Sequence, residues 1–277
     1  MINLLSDMFS YDFLVRAVIV GLLVSLCAAL LGVSLVLKRY SMIGDGLSHV
    51  GFGTLAIATA MNVAPLAVSI PVVVFVAFLL LRISENGKIK GDAAIALISA
   101  SSLAIGVVVI SKTTGMNTDV CNYLFGSILV MSKSDVRLSV ILAIVVLTLF
   151  LLFYNKIFAV TFDENFSQAT GTKTGIYNML IAFSTAITIV LGMRMMGALL
   201  ISSLIIFPSL TSMRTCKKFR SVTICSAIVS VICFFIGVVV SYVHATPTGA
   251  SVVIINIIAF LLFWAVNYMK NRLSWNR

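Results

Sequence analysis

Asp45 and His49 are the two residues whose types and spacing most clearly suit chemistry. The chain has nine acidic residues and only two histidines, and this pair lies in an apolar stretch that begins at Met42. Four residues apart on a helix, the two side chains share one face. Carboxylate and imidazole groups are both ligands of Zn²⁺, so one copy supplies two ligands and a two-fold dimer would supply a tetrahedral set of four.

Three other interpretations of this pair remain open from spacing alone. Asp45 would cap the start of a helix at the membrane interface, as aspartate often does. Alternatively, Asp45 and His49 would satisfy only each other, or would act as a proton relay. The glycines between Gly44 and Gly53 also indicate a helix face that a neighbouring backbone can approach closely.

The composition of the chain shows which elements must position the pair. Hydrophobic residues make up 61% of the sequence and charged residues 10%, against about 25% charged residues in soluble domains. The chain is therefore predicted to be an all-α, polytopic membrane protein with a single transmembrane domain over residues 1–277. A bilayer core of ~30 Å requires ~20 apolar residues per helix, which predicts eight or nine spans. The charge-poor runs are Ala17–Leu37, 42–60, 64–83, Ala93–Ser111, Leu138–Asn155, Ile176–Met193, Met195–Met213, Ser221–Val243 and Ala250–Met269.

The basic residues predict the orientation. With the N-terminus outside, most lysines and arginines, including Lys38, Arg82, Lys156 and Lys217, fall on one side, which the positive-inside rule assigns to the cytoplasm. The C-terminus is then cytoplasmic, and the basic clusters contact lipid headgroups rather than nucleic acid. The segment Val120–Ser132 is too short to cross and is predicted to be re-entrant or interfacial; if it crossed, every later assignment would be reversed.

No motif in the sequence predicts that this chain hydrolyses ATP. Its nearest approach to a P-loop, residues 171–174, lacks the leading glycine of that motif. An intramembrane metalloenzyme is also disfavoured, because there is no H-E-x-x-H motif and only two histidines are present. The chain is therefore predicted not to be an enzyme, and any ATP that drives it would be hydrolysed by another subunit.

Four motifs, in order along the chain, resemble the permease subunits of ABC-type zinc, manganese and iron importers. Lys38–His49 (KRYSMIGDGLSH) resembles the basic-x-S-x-x-G-D-x-x-x-H signature of that family, and Asn122–Leu129 (NYLFGSIL) resembles its Y-L-F-G segment. Gly197–Pro208 (GALLISSLIIFP) is similar to its G-A-L-L helix, and Thr246–Ser251 (TPTGAS) to its last external turn. The resemblance covers essentially the whole chain and is closest to the zinc-uptake members.

The resemblance implies a concrete assembly in the bacterial plasma membrane. Two copies of the permease would form a homodimeric pore, receive metal from an extracellular or periplasmic binding protein, and be driven by two cytoplasmic ATP-binding subunits. Asp45 and His49 would be transient pore ligands for Zn²⁺, or for Mn²⁺ or Fe²⁺, as the transported substrate, with no permanently bound cofactor. The alternative function is a proton- or ion-coupled secondary metal transporter without an ATPase.

Two further sets of residues follow from the resemblance. Val160–Gly175 falls where the family has a cytoplasmic coupling helix, with Phe162, Asp163, Phe166, Ala169 and Gly171 as the residues expected to contact the ATPase. The spacing of the two phenylalanines and Ala169 is that of one helix face, although a helix lying on the headgroups would show the same pattern. His244 stands near the position where relatives carry an acid before the T-P-x-G turn, and it would either assist metal entry or lie at the interface outside the pore.

Overall fold

The computed structural model describes residues 10–85, 91–113 and 133–275, and no strand occurs within these ranges. The described residues form eleven helices. In chain order these are α1 Asp12–Leu37, α2 Ile43–Ala60, α3 Pro65–Glu85, α4 Gly91–Thr113, α5 Lys133–Leu152, α6 Tyr154–Phe162, α7 Glu164–Ala169, α8 Thr174–Met196, α9 Ala198–Thr215, α10 Phe219–His244 and α11 Thr248–Trp275.

Nine of these helices coincide with the nine predicted spans, which confirms the all-helical membrane fold. Eight are long and apolar enough to cross a membrane. The exception is α2, which has sufficient length but whose hydropathy is lowered by Asp45, His49 and four glycines. The predicted re-entrant or interfacial segment Val120–Ser132, with the Asn122–Leu129 motif inside it, lies outside the described residues.

Small residues set the directions in which the helices pack. Helices α2 and α4 run parallel, because Gly46 lies against Ile95 and Gly53 lies against the Ser102 carbonyl. Helices α1 and α10 run antiparallel, since the hydroxyls of Ser226 and Ser230 on α10 donate to the carbonyls of Ala29 and Ser25 on α1, at 3.3 and 3.0 Å respectively. Small residues let transmembrane backbones approach closely enough for such contacts.

The bundle has two ends, which we name the Lys38 end and the Arg194 end. The end of α1 and the start of α8 meet at the Lys38 end, where Lys38 pairs with Glu164. At the Arg194 end, Arg194 near the end of α8 pairs with Asp135 near the start of α5. Asp135 also lines one groove with Ala64 and Pro65, which follow α2. Helix α4 therefore ends, and α5 begins, at the same end of the bundle, as the predicted orientation requires.

Burial divides the bundle into a centre and a periphery. Helices α1, α2 and α8 are enclosed, with side chains such as Val24, Leu47 and Ile189 fully buried. Helices α4, α5 and α11 instead expose apolar side chains along most of their length, for example Leu97 and Leu262. A helix bundle in contact with lipid requires apolar side chains on its outer surface. The enclosed position of α2 explains how so polar a helix is retained in the membrane.

The prediction of one helix over Val160–Gly175 is wrong, because the helix is interrupted. The chain instead forms the end of α6, a break at Asp163 and the six-residue α7. Asp163 has extended backbone geometry (φ −148°, ψ 99°), and its carboxylate accepts a hydrogen bond at 2.9 Å from the Phe166 backbone N–H. An aspartate in this conformation ends one helix and caps the next.

Candidate functional site

Helix α2 brings Asp45 and His49 to one face near the Lys38 end of the bundle. His49 Nε2 lies 3.7 Å from Asp45 Oδ2, and the side chains are 20% and 46% exposed, respectively. This distance is too long for a hydrogen bond. The second ring nitrogen of His49, Nδ1, is buried and has no hydrogen-bond partner among the described residues. The two side chains are therefore close enough to contact one bound ion, and they form no hydrogen bond with each other.

The capping interpretation of Asp45 does not fit the observed start of α2. The residue at the cap position is Met42, which makes no capping hydrogen bond through its side chain. Asp45 lies inside the first helical turn, where the helix dipole stabilises a negative charge. Its carboxylate thus has a favourable electrostatic position and remains partly open to a ligand.

Neighbouring helices pack closely against α2 on two sides. A Cβ atom at Gly53 would stand 2.6 Å from the carbonyl oxygen of Ser102 on α4, and one at Gly51 would stand 2.8 Å from Cε of Met193 on α8. Gly53 lies one turn after His49 on the same face, so α4 covers that face beyond the pair, and the pair itself is left partly open near the start of α2. Close packing by glycine fixes the direction in which the pair points.

A complete metal site is not present within the described part of one chain. Among the described residues, no group of three or more histidine, cysteine, aspartate or glutamate side chains could hold a metal ion. Two ligands are too few for a protein zinc site, which normally has at least three. A metal bound by Asp45 and His49 needs ligands from elsewhere, and a second copy of the pair would supply two more.

His244 is not brought near this pair. It is the last residue of α10, exposed, and lies at the Arg194 end of the bundle, whereas Asp45 lies near the Lys38 end. The following residue, Ala245, has a left-handed backbone (φ 50°) that ends the helix. The Ser241 hydroxyl closes this turn by donating to the Thr246 carbonyl at 2.6 Å.

The residues predicted to contact an ATPase lie on the outside of the Lys38 end. Phe162 and Phe166 are 74% and 66% exposed, and Asp163, Ala169 and Gly171 are also exposed. The break at Asp163 leaves the two phenylalanines on different short helices, so they do not form the single helix face that was expected. Large exposed aromatic side chains beyond the ends of spanning helices are suited to burial against a protein partner.

Sequence reasoning missed a polar cluster at the same end, formed by Lys38, Glu164 and Asn178. Lys38 Nζ lies 3.1 Å from Glu164 Oε2 and donates to Asn178 Oδ1 at 2.6 Å, while Asn178 Nδ2 donates to Glu164 Oε1 at 2.6 Å. These residues are far apart in the sequence, so local patterns do not connect them. The available signal was Asn178 itself, because an amide in an apolar helix requires a polar partner.

Comparison with known proteins places this arrangement among metal transporters. The sequence model of the ABC 3 transport family matches residues 10–267. A probable metal transport system membrane protein of Thermotoga maritima is 34% identical over 257 residues, which cover 92% of this chain and 90% of that protein. The high-affinity zinc uptake system membrane protein ZnuB of Haemophilus influenzae is 29% identical over 91% of this chain and 97% of its own length. Relatives named for iron and manganese transport match over similar lengths.

A solved structure shows the same fold. The chain matches a chain of PsaBC from Streptococcus pneumoniae in complex with Fab, with a TM-score of 0.85 and 25% sequence identity. The match covers 95% of both chains. Agreement over nearly the full length means that the relatives and this chain share one helix arrangement, including the helices that carry the candidate site.

Proposed function

We propose that two copies of this chain, which belongs to the ABC 3 transport family, form a pore for Zn²⁺. The premise is that the chain is the membrane permease subunit of a metal importer. Asp45 and His49 of both copies hold the ion briefly as it passes. The observation that carries this proposal is the open pair on α2, which offers two ligands at a separation of 3.7 Å. A two-fold axis beside this face would complete four ligands, two carboxylates and two imidazoles.

The ligand chemistry supports a divalent transition metal as cargo. Imidazole suits zinc and iron, whereas carboxylate also suits manganese, and affinity order alone does not select among these ions. We propose zinc because the resemblance of the motifs is closest to zinc-uptake members. The partly exposed carboxylate of Asp45 allows the ion to leave, which transport requires.

Energy would come from a separate ATPase subunit bound at the Lys38 end, in two copies for the dimer. The exposed residues of α6 and α7, Phe162 and Phe166 foremost, would fill a groove on that subunit. A metal-binding protein outside the cell would dock at the Arg194 end, and the C-terminus would be cytoplasmic in a bacterial plasma membrane. The secondary transporter considered from the sequence is set aside, because the family is one of ABC transporters.

Metal uptake in cells tests the proposed site. In cells that lack their own zinc importers, the chain is expressed with its ATPase and binding protein, and uptake of radioactive zinc is measured at equal membrane levels. Asp45→Asn and His49→Gln should each reduce uptake to near background, because each removes one ligand from both copies.

A matched control is available at the opposite end of the bundle. Asp12→Asn changes the same residue type outside the proposed pore and should leave uptake near the wild-type rate, whereas His244→Gln tests separately whether His244 assists metal entry. Unchanged uptake in both the Asp45 and His49 variants would refute the site. Parallel measurements with Mn²⁺ and Fe²⁺ decide the cargo, and faster uptake of either ion would replace zinc in the proposal.

A further inference from the structure

Three polar side chains form a closed ring where α1, α7 and α8 meet, and we call this ring the Lys38–Glu164–Asn178 triad. Each member contacts the other two: Lys38 donates to Glu164 and to Asn178, and Asn178 donates to Glu164, at 3.1, 2.6 and 2.6 Å. The Lys38 side chain is only 9% exposed and Asn178 is 3% exposed. A lysine this buried is tolerated because both partners accept hydrogen bonds from its ammonium group.

The triad is the charged connection between α7 and the bundle. Helix α7 is six residues long, and Ser167 is its buried residue, so apolar packing holds it weakly. Glu164, in its first turn, is 43% exposed and reaches inward to Lys38 at the end of α1. A displacement of α7 would therefore move Glu164 relative to Lys38, whose ammonium group is buried.

Lys38 is joined to the candidate metal site by a short and well-fixed turn. Arg39 has left-handed backbone geometry (φ 62°), the Tyr40 N–H donates to the Leu35 carbonyl at 2.8 Å, and the Ile43 N–H donates to the Tyr40 carbonyl at 3.0 Å. Helix α2 begins at Ile43, two residues before Asp45.

Packing around this turn leaves little room for independent movement. Lys38, Tyr40 and Ile43 line, together with Asn178, a cavity of about 20 Å³ between α1, α3 and α8. Such a volume is close to the minimum for one water molecule. A shift of the Lys38 side chain would therefore change the space against which Ile43, the first residue of α2, packs.

We propose that the Lys38–Glu164–Asn178 triad transmits movement of α7, driven by the ATPase, to α2 and so to the Asp45–His49 pair. This inference rests on the proposed function, in which α7 contacts the ATPase and the pair holds the metal. The three residues are positioning residues, because none of them touches the ion. Their task is to make metal movement depend on ATP hydrolysis.

The number of metal ions transported per ATP hydrolysed tests the triad directly. The chain is reconstituted with its ATPase subunit in liposomes, the metal-binding protein is added, and zinc uptake and phosphate release are measured in the same preparation. Glu164→Gln and Lys38→Met should lower the ratio by about fivefold or more, the usual scale of a coupling free energy between two sites, while ATP hydrolysis continues. The double variant Lys38→Glu with Glu164→Lys should recover the ratio, because the amide of Asn178 can rotate to serve the exchanged charges.

A second ion pair provides the matched control. Asp135→Asn breaks the Arg194–Asp135 pair, whose atoms are 2.8 Å apart with side chains 16% and 18% exposed, at the opposite end of the bundle. It should lower thermal stability and leave the ratio unchanged. If the Lys38 and Glu164 variants lower transport and hydrolysis in equal proportion, the triad is merely structural and the inference is overturned. A wild-type complex that moves no divalent metal would instead overturn the proposed function, and this inference with it.

Discussion

Replacement of Gly53 by alanine tests how closely α2 and α4 must approach. The added Cβ would stand 2.6 Å from the Ser102 carbonyl oxygen, whereas ordinary van der Waals contact begins at 3.4 Å. Since the obstacle is backbone, no side-chain rotation relieves the clash, and α4 must move away by about 0.8 Å. Overpacking of this kind costs ~1–3 kcal/mol, against a gain of ~1 kcal/mol from the higher helix propensity of alanine. The net expectation is a destabilisation of up to about 2 kcal/mol.

The assay is thermal unfolding of the purified chain in detergent, followed by zinc uptake in cells. Gly53→Ala should unfold at a lower temperature and should transport more slowly, because displacement of α4 alters the packing beside His49. Gly175→Ala is the matched control, since a Cβ at that position meets nothing within 4 Å, and it should leave the protein equally stable or slightly more stable. Wild-type unfolding and uptake in the Gly53 variant would refute the close packing on which the orientation of the pair depends.

Three further substitutions test the ion pair at the Arg194 end, the contact with the ATPase and the two-fold pore. Arg194→Met should lower the free energy of unfolding by ~1.5–3 kcal/mol, because it removes the cation that donates a hydrogen bond to the mostly buried carboxylate of Asp135. Arg16→Met, which breaks an exposed pair, should cost under about 1 kcal/mol, and thermal unfolding compares the two. Phe166→Ala should weaken copurification of the ATPase without changing stability. Leu151→Ala, which truncates a similarly exposed side chain on α5, should leave copurification at the wild-type level. Equal copurification of the ATPase with both variants would contradict a docking role for Phe166. Asp45→Cys, in a variant free of other cysteines, should yield a disulfide-linked dimer on mild oxidation, and Leu151→Cys should remain monomeric on denaturing gels; absence of the dimer would argue against the two-fold pore.

The sequence predicted the helices well because bilayer thickness and hydropathy are local properties. The break between α2 and α3 was predicted between the runs 42–60 and 64–83, and the structure places it there: α2 ends at Ala60 and α3 begins at Pro65. Helix α1 begins at Asp12 rather than Ala17, because a helix continues beyond the apolar residues that a bilayer requires. The shared face of Asp45 and His49 was likewise fixed by helical periodicity; their role as metal ligands stays a prediction.

The remaining features depend on contacts that hydropathy does not record. The break at Asp163 was missed because the spacing of Phe162, Phe166 and Ala169 imitates one helix, although an aspartate three residues before the Phe166 N–H was a capping signal. The partner of Lys38 was also missed, since Glu164 lies 126 residues away. Long-range pairing of this kind depends on how α1, α7 and α8 meet in the fold, which a local sequence pattern does not reveal.

The low hydropathy of α2 has a consequence for the order in which the protein is built. When it leaves the ribosome, α2 has little tendency to enter lipid alone. Transfer of its carboxylate and imidazole groups into hydrocarbon is unfavourable in free energy, and its glycines contribute little that is favourable. Its polar face is shielded only once α4 has been synthesised, and its Met193 contact waits for α8, more than a hundred residues later. Helix α2, which carries the candidate site, therefore reaches its final packing only after α8 has been synthesised.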